Sequence, residues 1–259
     1  VNTHPPSPFR GGWLWATIGV ALLMAAFVTL GFWQLGRLGQ RRAANAQMIA
    51  RMNEPSLLLD GSPLDPQQAN LRRAVVRGTY DFGQEIILRN RAYNELPGVH
   101  AIVPLRIVGS AEAVLVDRGW IPYELSSPEQ RAQFHDVAGE VEVQGILRQS
   151  EARLSHLSPA DPPLGPDRPR LDAWYRVEIP RIQEQVPYPL LSMYLEEAVG
   201  GAAARRFPRP DPQIDLSEGP HLGYAIQWFS FAGIVLAGYV LLYRQRTQAL
   251  DEHKRVEGT

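Results

Sequence analysis

The stretch WLWATIGVALLMAAFVTLGFWQL, residues 13–35, decides the fold. It carries no charge, nor does the interval from Gly11 to Gly36, which at about 1.5 Å per residue is long enough to cross a roughly 30 Å hydrocarbon layer as one helix. Its apolar body exceeds the roughly 7–15 residues of a secretory signal core, and no A-x-A cleavage pattern follows, so it is expected to be retained as a membrane span. The chain opens on Val1 rather than methionine, as expected if leading residues are absent from it. A second uncharged run extends from Gly219 to Tyr243 if His221 is neutral, with IQWFSFAGIVLAGYVLLY at 226–243 as its body. Aromatic residues stand near the ends of both runs, as interfacial belts require: Trp13, Trp15, Phe32 and Trp33 in the first, Tyr224, Trp228, Tyr239 and Tyr243 in the second. Two buried core helices are the competing reading, opposed by the length of both runs without a charge.

Two spans divide the chain into an N-terminal tail (1–12), a first transmembrane helix (13–36), an extramembrane domain (37–218), a second transmembrane helix (219–243) and a C-terminal tail (244–259). The predicted architecture is a two-helix transmembrane hairpin enclosing a mainly antiparallel β domain, barrel or sandwich, with one or two short helices. Charge gives conflicting signals about orientation. Arg244, Arg246, Lys254 and Arg255 favour a cytoplasmic or matrix tail, whereas Arg37, Arg41, Arg42 and Arg51 pull the domain the same way. Long loops translocate largely regardless of charge, so the short tail is given more weight and the domain is expected outside.

The first helix is expected to continue into solvent as a stalk over residues 37–54, ending before Pro55. Alternation of Ala74, Val76, Gly78, Tyr80 and Phe82 with Val75, Arg77, Thr79 and Asp81 then marks a strand with one buried face. EIILRNR, HAIVPLRIV, EAVLVDRGWI, EVEVQGILRQ, AWYRVEI and LLSMYLEE read as further strands, making seven with no long helix between them. A short helix is expected after Ser127, which can cap, with Pro128 at its first position and Gln130 completing the capping box. SHLSPADPPLGPDRPRLD, residues 155–172, holds five prolines and reads as an extended loop or binding arm dispensable for folding.

With 26 Lys plus Arg against 27 Asp plus Glu, the net charge of −1 gives no reason to expect a nucleic-acid partner. The absence of cysteine excludes disulfides, iron–sulfur clusters and thiol nucleophiles. No G-x-S-x-G, P-loop, G-x-G-x-x-G or H-E-x-x-H motif occurs and the six histidines lie far apart, so no catalytic centre is expected. The acidic pairs Glu140/Glu142 and Glu196/Glu197 read as solvated surface. A hairpin brings GFWQLGR (31–37) and HLGYAIQWF (221–229) to one membrane face. Gln34 then lies about 4.5 Å deeper than Arg37 and Gln227 about 9 Å deeper than His221, and amides at such depth need partners or a role. His221 has two readings, an interfacial histidine in contact with water or headgroups, or a ligand of metal or haem iron. Arg37 either snorkels to headgroups or pairs with propionates. Gly31, Gly36 and Gly223 either let the helices approach closely or are ordinary membrane-helix glycines.

At these residues the chain resembles the Surfeit locus protein family, whose members are cytochrome c oxidase assembly factors. GFWQLGR is similar to the family's G-x-W-Q-L-x-R, VLVDRGWIP at 114–122 to V-L-V-N-R-G-W-V-P, and HLGYAIQWF to H-L-x-Y-A-x-Q-W. Asp117 stands where the family usually has Asn and could pair locally with Arg118, and Arg41 or Arg42 stands for the lysine often found after the first motif. The resemblance implies a non-enzymatic respiratory-chain chaperone, anchored in the bacterial plasma membrane or the mitochondrial inner membrane, with its domain on the periplasmic or intermembrane-space side. It implies cytochrome c oxidase subunits as partners, chiefly the haem-bearing one, and haem a as cofactor with His221 as iron ligand. Gln34, Trp33, Arg37, Tyr224, Gln227 and Trp228 match the motifs by position, and their depth and chemistry make them candidate pocket residues. The alternative is a protein-binding module or accessory subunit that holds no cofactor.

Overall fold

The computed structural model describes residues 11–135, 137–153, 158–198, 207–210 and 214–257, the last eight through their backbone only. The chain forms two units, one made of residues 1–47 with 216–259 and the other of residues 48–215.

In the first unit, α1 (Gly12–Met52) and α5 (His221–Glu257) are both long and apolar enough to cross a membrane. No proline or buried charge interrupts α1 up to Met52, so the helix runs past the apolar segment into the Arg- and Ala-rich stretch.

The second unit is a β domain of eight strands: β1 (Leu57–Leu59), β2 (Arg73–Tyr80), β3 (Ile86–Tyr93), β4 (Leu96–Ile107), β5 (Ala113–Pro122), β6 (Glu140–Gln149), β7 (Ala173–Trp174) and β8 (Leu190–Glu197). Strands β2, β6, β8, β5 and β4 lie side by side in that order, and a further pairing of β2 with β4 closes them into a five-stranded barrel. The twelve-residue β4 makes closure possible: its first part pairs with β3 and its last residues with β2. Alternation fills the interior with Val76 and Tyr80, Val103 and Leu105, Val114 and Val116, Val143 and Leu147, and Met193 and Leu195. Gly78 and Gly145 lie where a neighbouring strand's backbone leaves no space for a Cβ, so glycine lets the small barrel close.

Residues of the opposite parity, Ile86, Leu88, Ile102, Leu115 and Tyr194, form an outer core covered by Trp174, Val177 and α4 (Ile179–Ile182). Three short α-helices occur, α2 (Pro66–Ala69), α3 (Pro128–Arg131) and α4, where one or two were expected. Ser127 caps α3 through the Gln130 N–H.

Two expectations about the β domain need correction, although the sheet is mainly antiparallel as expected, with β1–β2, β3–β7 and β5–β8 as its parallel pairings. Strand β8 is entered from α4 rather than from a tight turn, and such a crossover permits parallel pairing. AWYRVEI is a strand only at Ala173 and Trp174, since the Tyr175 N–H turns to the Asp161 carboxylate at 3.0 Å and leaves the ladder.

The proline-rich stretch, from Ser158 onward, is packed rather than loose. Leu164 and Leu171 join the outer core, Arg170 donates to the Glu85 carbonyl at 2.8 Å, and Asp172 accepts from Arg131 at 2.6 Å. Proline forbids ladder pairing but not burial, and side chains supply the bonds that the backbone cannot make. The expected arm's residues 155–157 lie outside the described residues.

Candidate functional site

The two motif-bearing helices meet along a seven-residue rhythm, two helical turns each step. On α1 the buried positions are Gly31, Leu38 and Asn45; on α5 Ala225 and Ala232 are buried, with His221 and Trp228 half-buried between solvent and contact face. Contacts pair the beginning of one helix with the end of the other. Thr17 and Tyr239 hydroxyls are 2.6 Å apart, Phe27 stacks on Trp228 with centroids 5.7 Å apart, and Phe32 meets Phe229 edge-on at 5.4 Å. The charged C-terminal part of α1 fixes the approach to α5. Asn45 donates to the Leu216 carbonyl at 2.7 Å, Arg41 to the Ser217 carbonyl at 3.0 Å, and Arg42 grips both Glu218 oxygens at 2.7 and 2.8 Å.

Of the three glycines, Gly31 is the close-approach position. The Phe229 ring lies 2.6 Å from where a Cβ on Gly31 would stand, whereas Gly36 and Gly223 have nothing within 4 Å of theirs.

His221 and Gln34 are brought together directly, with imidazole Nδ1 2.9 Å from the amide Oε1. The amide oxygen can only accept, so Nδ1 is the donor, and in the neutral ring Nε2 keeps its lone pair. An imidazole held this way is prepared as a metal ligand, because ligating histidines donate their other ring N–H to a carbonyl or carboxylate.

Arg37 does not join this pair; it donates to Gln40 at 3.0 Å and is exposed. Trp33, Tyr224 and Gln227 are exposed as well, and Trp228 is engaged with Phe27 and Phe231. Counting about 100° per residue from the contact face, Trp33 and Arg37 on α1 turn to the same flank as Tyr224 and Gln227 on α5. Phe32 and Phe229, which touch, turn to the other flank. The register of the contacts places Trp33 level with Tyr224. The seven residues therefore form a bonded pair between the helices, one aromatic anchor two helical turns from it, and four side chains displayed on a single flank.

One expectation fails in the β domain and another is altered. Asp117 and Arg118 each engage other groups. Arg118 is the extra residue of a β-bulge in β5, since Ala101 faces Gly119 while Ile102 faces Asp117. Asp117 binds His100 Nδ1 at 2.8 Å and the Gly119 N–H at 2.9 Å; Arg118 donates to the Phe134 carbonyl at 3.0 Å, with its guanidinium 5.0 Å from the Tyr80 ring centroid. Glu196 and Glu197 are buried rather than solvated, whereas Glu140 and Glu142 are exposed and Glu142 pairs with Arg77. Strand alternation gives His100 and Glu196 the same outward parity as Ile102 and Tyr194, but the sequence does not contain the strand order that unites them.

Residues 21–233 match the SURF1 family model. A SURF1-like protein of Monosiga brevicollis is 28% identical over 249 residues, covering 91% of this chain and 89% of that protein. An uncharacterised SURF1-like protein of Mycobacterium bovis is 28% identical over 86% of this chain and 80% of its own length. Surfeit locus protein 1 of Mus musculus is 27% identical over 60% of this chain and 52% of its own.

Proposed function

The chain belongs to the SURF1 family, and from that premise we propose that it is a two-pass membrane protein that assists assembly of haem–copper cytochrome c oxidase by holding haem a. In this reading the two apolar helices form a transmembrane hairpin and residues 37–218 lie on the periplasmic or intermembrane-space side. The partners are oxidase subunits, chiefly the haem-bearing one, and the protein itself catalyses no covalent step.

The observation that carries the reading is the 2.9 Å bond from His221 Nδ1 to Gln34 Oε1. It fixes ring orientation and tautomer, leaving Nε2 as the ligating atom. Haem a, when bound, supplies an iron that accepts this lone pair. Arg37, on the adjoining flank, would bind the propionates; Trp33 and Tyr224, level with each other, would offer ring faces to the macrocycle; Gln227 would donate from deeper in the apolar zone; and Trp228, two helical turns from His221 on the helix contact face, would close the pocket's apolar end. A second reading is favoured by the same exposed flank. Trp33, Tyr224 and Gln227 present packing surface and an amide to a neighbouring helix, so the flank also suits an oxidase helix with no cofactor between.

A visible spectrum of the protein purified from cells that make haem a separates the two. Cofactor binding gives a Soret band that His221→Ala reduces or shifts at unchanged protein yield. Arg37→Ala weakens retention by roughly ten- to a hundredfold, as expected for loss of an ionic hydrogen bond of about 1.5–3 kcal/mol. A folded, colourless native preparation from such cells would overturn the haem reading and leave the docking one.

A further inference from the structure

On the outer surface of the barrel, strands β4, β5, β6 and β8 place a polar cluster at the base of a cleft of about 540 Å³, within the range of small-ligand sites. The cluster is built on a registered strand array. Asp117 on β5 stands opposite Glu196 on β8, which in turn faces Ile146 on β6 two residues from Arg148. His100 on β4 reaches Asp117 with Nδ1 at 2.8 Å, and the second Asp117 oxygen accepts the Gly119 N–H at 2.9 Å. Both oxygens of Asp117 are thus engaged as acceptors, so His100 donates from Nδ1, and in the neutral ring Nε2 is left as an acceptor.

What remains is a pair of unsatisfied acceptors. Among the described residues, His100 Nε2 and Glu196 Oε2 have no hydrogen-bond partner, although their side chains are only 2% and 8% exposed and both line the cleft. Buried polar atoms without partners are costly, and two in one cleft mark a place where something else supplies donors. Glu196 Oε1 already receives Arg148 at 3.2 Å, and Glu151 accepts from the Tyr194 hydroxyl at 3.2 Å. The cleft holds three carboxylates, Asp117, Glu151 and Glu196, against two guanidinium groups, Arg91 and Arg148, which leaves one negative charge uncompensated when Glu196 is ionised and the His100 ring is neutral.

Two acceptors and one uncompensated negative charge call for a monocation bearing several N–H donors. A metal ion is disfavoured, because among the described residues no group of three or more His, Asp and Glu side chains could hold one. We propose that this cleft binds a primary ammonium group, which donates to His100 Nε2 and Glu196 Oε2 together. The donor is either a free small amine or the side chain of a lysine on another polypeptide. The site is independent of the helix pair and of haem.

Burial, with Asp117 adding to it, raises the Glu196 carboxyl to about 7, while Arg148 opposes the rise. Ammonium binding therefore releases a proton below neutrality and strengthens as pH rises through 7. The groups facing Glu196 are Arg91 from β3, His100 from β4, Asp117 from β5, Arg148 from β6, Glu151 after it and Tyr194 from β8.

Calorimetry of the full chain in detergent at pH 8 tests this with three probes: n-propylammonium, the peptide acetyl-Gly-Lys-Gly-amide, and tetramethylammonium, which has the charge but no donor. Binding of either of the first two, with tetramethylammonium silent, is expected, and the tighter of them identifies the source. Glu196→Gln, which keeps shape and removes charge, should weaken binding at least tenfold. In the unsubstituted protein the His100 Nε2 nitrogen resonance should move on binding, a measurement that does not depend on any variant folding. Absence of binding at tens of millimolar, equal binding of tetramethylammonium, an unchanged Glu196→Gln affinity or a stationary His100 resonance each overturns the proposal.

Discussion

Arg131 and Asp172 are joined at 2.6 Å, and this contact ties the end of the proline-rich segment to the short helix α3. Arg131 is 2% exposed and also donates to Glu85 at 2.9 Å, so one buried guanidinium serves two carboxylates from different parts of the chain. Arg131→Met removes the ion-pair partner of the buried Glu85 and is expected to cost about 3 kcal/mol, whereas Asp172→Asn, at a half-exposed partner, costs about 1 kcal/mol. Urea unfolding followed by tryptophan fluorescence in detergent gives both values; equal costs would mean that the buried Glu85 is not the dominant partner.

Replacing residues 158–170 with a short Gly and Ser bridge is expected to destabilise the β domain by several kcal/mol, because Leu164, Asp161 and Arg170 lose their contacts. Unfolding at the midpoint of the intact protein would show that these contacts contribute nothing.

Gln34→Leu removes the acceptor that fixes the His221 ring while preserving bulk. On the haem reading, pigment retention falls roughly tenfold or more, as for loss of the hydrogen-bond partner of a ligating histidine, and Gln34→Glu restores it. Titration of the purified variants with haem, read at the Soret band, measures this.

The Glu196 carboxyl is raised from 4.5 to about 7 by burial, with Asp117 adding to the rise. The folded state then binds a proton more tightly than the unfolded state. Stability from this group is full below about 4.5 and is lost as pH rises through 7, by on the order of 2–3 kcal/mol. Glu196→Gln should flatten that decline, and a stability profile from pH 5 to 8 with the same slope in both proteins would contradict it.

Because the natural chain has no cysteine, single substitutions report orientation. Gln133→Cys is expected to react with an impermeant thiol reagent on intact cells and Gln248→Cys is not; the reverse pattern would place the β domain inside.

The sequence by itself determined the two apolar helices, because an uncharged run of that length leaves few alternatives in water. Period-two alternation likewise marked β2, which buries one face, and short apolar runs marked β3, β4, β5, β6 and β8. Local chemistry sufficed for the Ser127 cap, which needs only a hydroxyl three residues before a free N–H. The tertiary structure alone decided which strands lie together, because pairing of β5 with β8 and closure of β2 on β4 join residues far apart in the chain. That order buries Glu196 beside Asp117 and gives His100 its carboxylate, and an acidic pair that reads as surface in a linear sequence becomes a charged cleft. In the helix pair the motifs supplied the residues, but only the register of one helix on the other selected Gln34, and not Arg37, as the partner of His221. Helical phase explains the choice. Gln34 lies on the same stripe as Gly31 and Leu38, and Arg37 lies about a quarter turn away from it.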